Sequence, residues 1–103
     1  MVERRKYPRY EYMYKVVYTT LHNPFKRIVA ASCNVSLGGI ALRLRKVLGS
    51  GERLSMKIYP HKRMPAVIAE GKVVWHSESE RRLGVQFTSI PWSGAKMLTG
   101  KTI

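Results

Sequence analysis

Between residues 10 and 89 apolar side chains return at every second position, in one short run after another. That period belongs to strands, whose successive side chains point to opposite faces, and not to a 3.6-residue helix. Tyr10, Tyr12, Tyr14, Val16 and Tyr18 share one face of residues 10–19, with Glu11, Lys15 and Thr19 on the other. Residues 27–33 form a short β-branched run. Ile40, Leu42 and Leu44 alternate with Ala41, Arg43 and Arg45, and Leu54, Met56 and Ile58 with Arg53, Ser55, Lys57 and Tyr59. Val67, Ala69, Val73 and Trp75 share a parity, and Gly71 among them marks a bulge or tight bend. Leu83, Val85 and Phe87 complete the series.

The intervening segments carry turn chemistry: His22-Asn23-Pro24, Gly49-Ser50-Gly51, Pro60-His61-Lys62-Arg63 and Ser77-Glu78-Ser79-Glu80. Six short strands so connected predict an all-β chain folded as a six-stranded antiparallel β-barrel, since closure removes exposed edges. Only the residues after Pro91 can form a helix. It is expected to be short, to be interrupted by Gly94 and Gly100, and to cap one barrel end with Trp92, Met97 and Leu98. The expected organisation is one domain over residues 1–103: a flexible N-terminal segment (1–9), a barrel (10–89), and a short helix or tail (90–103).

Composition narrows the chemistry. Nineteen Lys and Arg face six acidic residues, a net charge of +13, and all six acids are Glu. Asp-based triads, aspartyl-phosphate transfer and two-metal carboxylate sites are therefore not expected. No nucleophile–base pair is recognisable, so the chain is not expected to be an enzyme. His22, His61, His76 and Cys33 lie apart without metal-ligand spacing, so neither metal nor cofactor is expected. The positive field calls for an anionic partner. No apolar run approaches the roughly 20 residues needed to cross a bilayer. The basic N-terminus lacks the apolar core of a signal peptide, and a lone Cys33 fits a reducing compartment, so a cytoplasmic protein is expected.

Two local features concentrate chemistry. Arg4-Arg5-Lys6-Tyr7-Pro8-Arg9 places four cations in six residues, where Pro8 biases Tyr7 away from helix. By itself such a run is accounted for by a solvated basic tail, but its Arg forks also match phosphate oxygens and the guanine O6/N7 edge. Asn34-Val35-Ser36-Leu37-Gly38-Gly39-Ile40 offers an amide, a hydroxyl and two glycines that permit positive φ or close approach. Alone it reads as a side-chain-stabilised turn with a glycine corner. Its match to the N-glycosylation sequon carries no weight without a secretory signal.

Together, and in this order, Arg-x-x-x-Arg (Arg5, Arg9) before a first strand and Asn-x-Ser-x-x-Gly (Asn34, Ser36, Gly39) about two strands later resemble the PilZ domain family. Gly71-Lys72-Val73-Val74-Trp75 and Leu83-Gly84-Val85-Gln86-Phe87 look like that family's paired late strands. The resemblance runs from Arg4 to about Ser89. It implies a split-barrel fold that binds the bacterial second messenger cyclic di-GMP. Arg5 and Arg9 would grip phosphates and guanine edges, Asn34 a guanine, and Ser36 a phosphate, while Gly39 would keep the barrel wall open. Arg4 before the first motif is associated in the family with a stacked, intercalated ligand dimer, so a dimer is expected here. The resemblance implies a switch in which ligand pulls residues 4–9 onto the barrel and alters the surface read by a downstream protein partner. The chain departs from the family in its shorter C-terminal helix. Two other readings stand beside this one: a basic nucleic-acid-binding barrel of the OB or cold-shock kind, and a PilZ-like protein-interaction domain without ligand binding.

Overall fold

The computed structural model describes residues 13–45, 48–60 and 64–100. Six strands and one helix follow in chain order: β1 (Lys15–Thr20), β2 (Ile28–Val35), β3 (Gly39–Arg43), β4 (Arg53–Tyr59), β5 (Val67–Ser77), β6 (Arg82–Ser89) and α1 (Trp92–Leu98). The strands close into a barrel in the order β1-β2-β3-β6-β5-β4, every pair antiparallel. Four pairings join consecutive strands. The closure is made by β3 on β6 and by β1 on β4, where Lys15 faces Tyr59 and Thr20 faces Leu54. All six strands thus find two partners, as the alternation requires of a chain with no edge to spare. The expected six-stranded antiparallel barrel is the observed one.

The interior holds Val16 and Tyr18 from β1, Leu42 from β3, Met56 and Ile58 from β4, Val73 from β5 and Leu83 from β6, all essentially excluded from water. β4 follows the period-two rule along its whole length: Leu54, Met56 and Ile58 are buried and their neighbours exposed. Ile40 and Leu42 are inward as expected, but Ala41 between them is buried too, on the outer wall. Described β1 begins at Lys15; Tyr10 and Tyr12 lie outside the described residues. Tyr14 is half-buried, and its hydroxyl donates to the Leu98 carbonyl at 2.7 Å, tying the start of the barrel to the end of α1. Buried Ser32 is satisfied at the same place: its hydroxyl accepts from the Tyr14 N–H at 2.7 Å and its N–H donates to the Tyr14 carbonyl at 2.9 Å.

Two bulges re-aim the strands. In β2 Ser32 faces Leu42 and Asn34 faces Ala41, so Cys33 is an extra residue. In β5 Val73 faces Val85 and Trp75 faces Gly84, so Val74 is extra. One inserted residue moves everything after it to the opposite face. Trp75 therefore does not share the inward face of Val67, Ala69 and Val73 as its parity predicts; it lies on the outer wall across from Gly84. Asn34 is turned outward by the same device, while Val35 takes the inward place. The irregularity expected at Gly71 is present, with the extra residue, Thr88, on the partner strand β6.

Helix α1 begins after Pro91, whose φ of −61° suits a first helical turn. Gly94 does not interrupt it. It, Ala95 and Leu98 form the buried face, and a Cβ at Gly94 would press on the Val67 side chain at 2.6 Å. Of the capping trio expected from the sequence only Leu98 is fully buried. Trp92 is 62% exposed, with Lys96 Nζ 5.0 Å from its ring centre. Gly100, at φ +69°, ends the helix, its N–H donating to the Met97 carbonyl at 3.2 Å. Among the described residues no helix is long and apolar enough to cross a membrane.

Candidate functional site

On the outer wall where β2, β3, β6 and β5 run side by side lies a cleft of about 370 Å³. Its lining includes Asn34, Ser36 and Gly39 from the first half of the chain and Trp75, Gly84 and Gln86 from the second. The cleft exists because side chains are missing where the wall would otherwise be filled. Gly84 sits beneath the Trp75 indole, which a Cβ there would strike, so an aromatic ring covers its bare partner across the ladder.

The segment Asn34–Ile40 is less of a loop than its composition suggests. Asn34 and Val35 belong to β2, Gly39 and Ile40 to β3, leaving only Ser36–Gly38 as the turn. Ser36 builds that turn. Its N–H donates to the Gly39 carbonyl at 2.8 Å, and its hydroxyl accepts from the Gly38 N–H at 3.2 Å and reaches the Gly39 carbonyl at 3.5 Å. The Gly38 carbonyl in turn accepts from the Phe87 N–H at 2.9 Å, pinning the turn to β6. Neither glycine uses a positive φ; among the described residues only Gly51, Gly100 and Arg81 do. Gly39 is needed for a different reason: a Cβ there would collide with the Val85 carbonyl oxygen. Asn34, by contrast, has a half-buried side-chain amide that no hydrogen bond engages among the described residues.

A second hollow of about 380 Å³ adjoins the first, with Asn34 in both linings. Met13, Cys33, Arg43 and Arg82 line it as well. Cys33 is half-buried with its Sγ 3.6 Å from the Ala41 carbonyl, the place of a small packing residue. Met13 matters because it is where the N-terminal segment joins the described chain. Arg4, Arg5 and Arg9 lie outside the described residues. Arg9 precedes Met13 by four residues.

No ionisable side chain lines the first cleft. Its polar chemistry is two primary amides, Asn34 and Gln86, the Ser36 hydroxyl, an indole, and backbone. Amides of this kind bond to base edges and an indole face stacks on a purine. The sequence places Trp75 and Gln86 in the late-strand motifs but not among the candidate ligand residues. The signal for Trp75 lay in the juxtaposition of a large aromatic on one late strand with a bare Gly84 on the next. Among the described residues no group of His, Cys and Glu side chains is placed to hold a metal.

A closed six-stranded antiparallel barrel with an uncharged outer-wall cleft beside a glycine-rich strand turn defines a small β-barrel domain. The profile of the PilZ domain matches residues 3–98, and the chain belongs to the PilZ domain family. Three solved structures share the fold. The inhibitor of motility MotI/DgrA from Bacillus subtilis has a TM-score of 0.75 at 23% identity, over 96% of this chain and 49% of that one. The PilZ domain of YcgR from Escherichia coli, solved with cyclic di-GMP, gives 0.72 at 16% identity, over 93% of this chain and 86% of that one. The PilZ domain of CeSA from a cellulose-synthesizing bacterium gives 0.65 at 11% identity, over 88% of this chain and 90% of that one. This chain thus spans about half the length of MotI. No curated protein sequence matches it.

Proposed function

We propose that this chain is a cyclic di-GMP receptor domain, a cytoplasmic regulatory switch and not a catalyst. The observation that carries the reading is the unengaged Asn34 amide, set beside Trp75 in a cleft that contains no charge of its own. Such a cleft suits a purine, and the phosphates of a nucleotide then need cations from outside it. Arg4, Arg5 and Arg9 supply them from a segment tethered at Met13, beside Asn34. In this reading Asn34 bonds a guanine edge, Trp75 stacks on the base, and Gln86 adds a second amide. Ser36 fixes the turn that sets Asn34 and offers its hydroxyl to a phosphate. Arg4 adds a guanidinium for a second, stacked copy of the ligand. Ordering of residues 4–9 onto the wall changes the surface offered to a partner protein.

Calorimetric titration of the full chain with cyclic di-GMP tests this. Saturable binding at micromolar ligand is expected, weakened at least tenfold by Asn34→Ala and abolished by Arg5→Ala/Arg9→Ala. A stoichiometry of two ligands per chain supports the stacked dimer, and one ligand per chain removes it. Absence of binding in the wild type, with tight binding of oligonucleotides instead, would overturn the reading in favour of a nucleic-acid barrel.

A further inference from the structure

We propose that Arg43 and Arg82 form a phosphate seat in the second hollow, across Asn34 from the cleft. The proposal rests on the cyclic di-GMP reading only for the source of the phosphate. Arg43 on β3 and Arg82 on β6 are register partners, so two guanidinium groups occupy neighbouring sites on adjacent strands. Like charges in that relation repel, and the arrangement calls for an anion between them. Both line the hollow of about 380 Å³ with Met13 and Asn34.

Their own partners are few. Arg82 Nη1 has Glu80 Oε1 at 3.5 Å, a long contact to a carboxylate 60% exposed. Arg82 Nε is buried and has no hydrogen-bond partner. Arg43 makes no ion pair or hydrogen bond among the described residues. A charged N–H withdrawn from water and left unpaired is unfavourable, and the natural complement of a guanidinium edge is a pair of phosphate oxygens. Two guanidinium groups about one hollow suit a phosphate better than a carboxylate, because a tetrahedral oxyanion can accept from both. Asn34 belongs to both linings, so the seat adjoins the cleft. A nucleotide with two phosphates, held by its base in the cleft, has this seat for a phosphate that the cleft cannot pair.

Side-chain NMR of the full chain with 15N-labelled arginine reads the seat directly, through the Arg82 Nε–H resonance. Titrations with inorganic phosphate and with cyclic di-GMP, each at constant ionic strength, are both expected to move it saturably. Arg43→Gln should weaken both responses about tenfold, the loss of one charge-assisted pair. Lys57→Gln, on the opposite wall, should leave them unchanged. If phosphate moves the resonance while cyclic di-GMP binds nowhere, the seat stands and the messenger reading falls. If cyclic di-GMP binds while the resonance stays fixed with both anions, the seat falls and the messenger reading stands. A linear, non-saturating drift, or a response equally altered by Lys57→Gln, also overturns the seat.

Discussion

Gly39→Ala separates two accounts of the glycine that closes the Asn-x-Ser-x-x-Gly motif. In one, the glycine leaves room for a ligand; in the other, it leaves room for β6. The structure allows the second to be worked through. A Cβ at residue 39 would collide with the Val85 carbonyl oxygen and would lie 3.3 Å from the Val85 carbonyl carbon and 3.4 Å from Gln86 Cα. All three are backbone atoms, so no rotamer change relieves the contact. Relief requires β3 to move away from β6 along the pairings Gly39–Gln86 and Ile40–Val85, one of the two joints that close the barrel. Overpacking of this kind costs about 1–3 kcal/mol, and more where the neighbour cannot yield; about 3 kcal/mol is the value expected here. At roughly 4–8 °C per kcal/mol for a domain near this size, Tm should fall by about 12–24 °C. Thermal and urea melts followed by circular dichroism measure it. Gly49→Ala is the control, since a Cβ there meets nothing within 4 Å and its φ is not positive; its Tm should stay within about 2 °C of wild type. A Gly39→Ala protein that melts with the wild type yet loses cyclic di-GMP would refute the packing account and return the glycine to the ligand.

Three further outcomes follow from individual contacts. Tyr14→Phe removes the 2.7 Å bond to the Leu98 carbonyl and should cost about 1 kcal/mol, visible in the urea midpoint and in faster amide exchange of α1. Trp75→Leu should weaken cyclic di-GMP binding about tenfold or more, the worth of a stacked base, while moving Tm far less than Gly39→Ala; an unchanged affinity would remove the indole from the site. Burial raises the pKa of Tyr18 above its ordinary value of 10.0, so between the two values the folded state holds a proton that the unfolded state has released. Stability from this group is intact below pH 10 and falls as pH rises beyond it; Tyr18→Phe should flatten that alkaline slope in Tm against pH.

How much of this could be read from the sequence depends on where the strands stay regular. β4 was fully legible because no bulge interrupts Leu54, Met56 and Ile58. β2 and β5 were legible only up to Cys33 and Val74, since an inserted residue changes no composition and is fixed by pairing with a distant strand. Asn34, Ser36 and Gly39 could be found from their order and spacing, although the motif could not say that the Ser36 hydroxyl also accepts from the Gly38 N–H within the turn or that Gly39 answers to Val85. Simple parity places Trp75 on the inward face, because it takes no account of the extra residue at Val74. The C-terminal helix was placed correctly by Pro91, but its buried face was not: Trp92 is apolar yet stands at the first turn, where the barrel does not reach it, and Gly94 packs because it is small.

The net charge of +13 takes a more definite meaning from the placement of these groups. On the receptor reading, a cleft without ionisable residues takes the base while cations elsewhere neutralise the phosphates, so recognition and charge neutralisation are divided between separate parts of the chain. The cations at issue are Arg43 and Arg82 on the wall and Arg4, Arg5, Lys6 and Arg9 on a segment attached at Met13, beside them. Brought together without an anion, these two sets repel. With a phosphate between them each set pairs with the same oxygens, and the repulsion becomes mutual attraction to a shared charge. On the receptor reading, ligand and segment should therefore dock cooperatively, and raising the salt concentration should weaken binding by screening both contacts. The bulges at Cys33 and Val74 complete the device: they let the strands keep a continuous core inside while turning one amide and one indole outward.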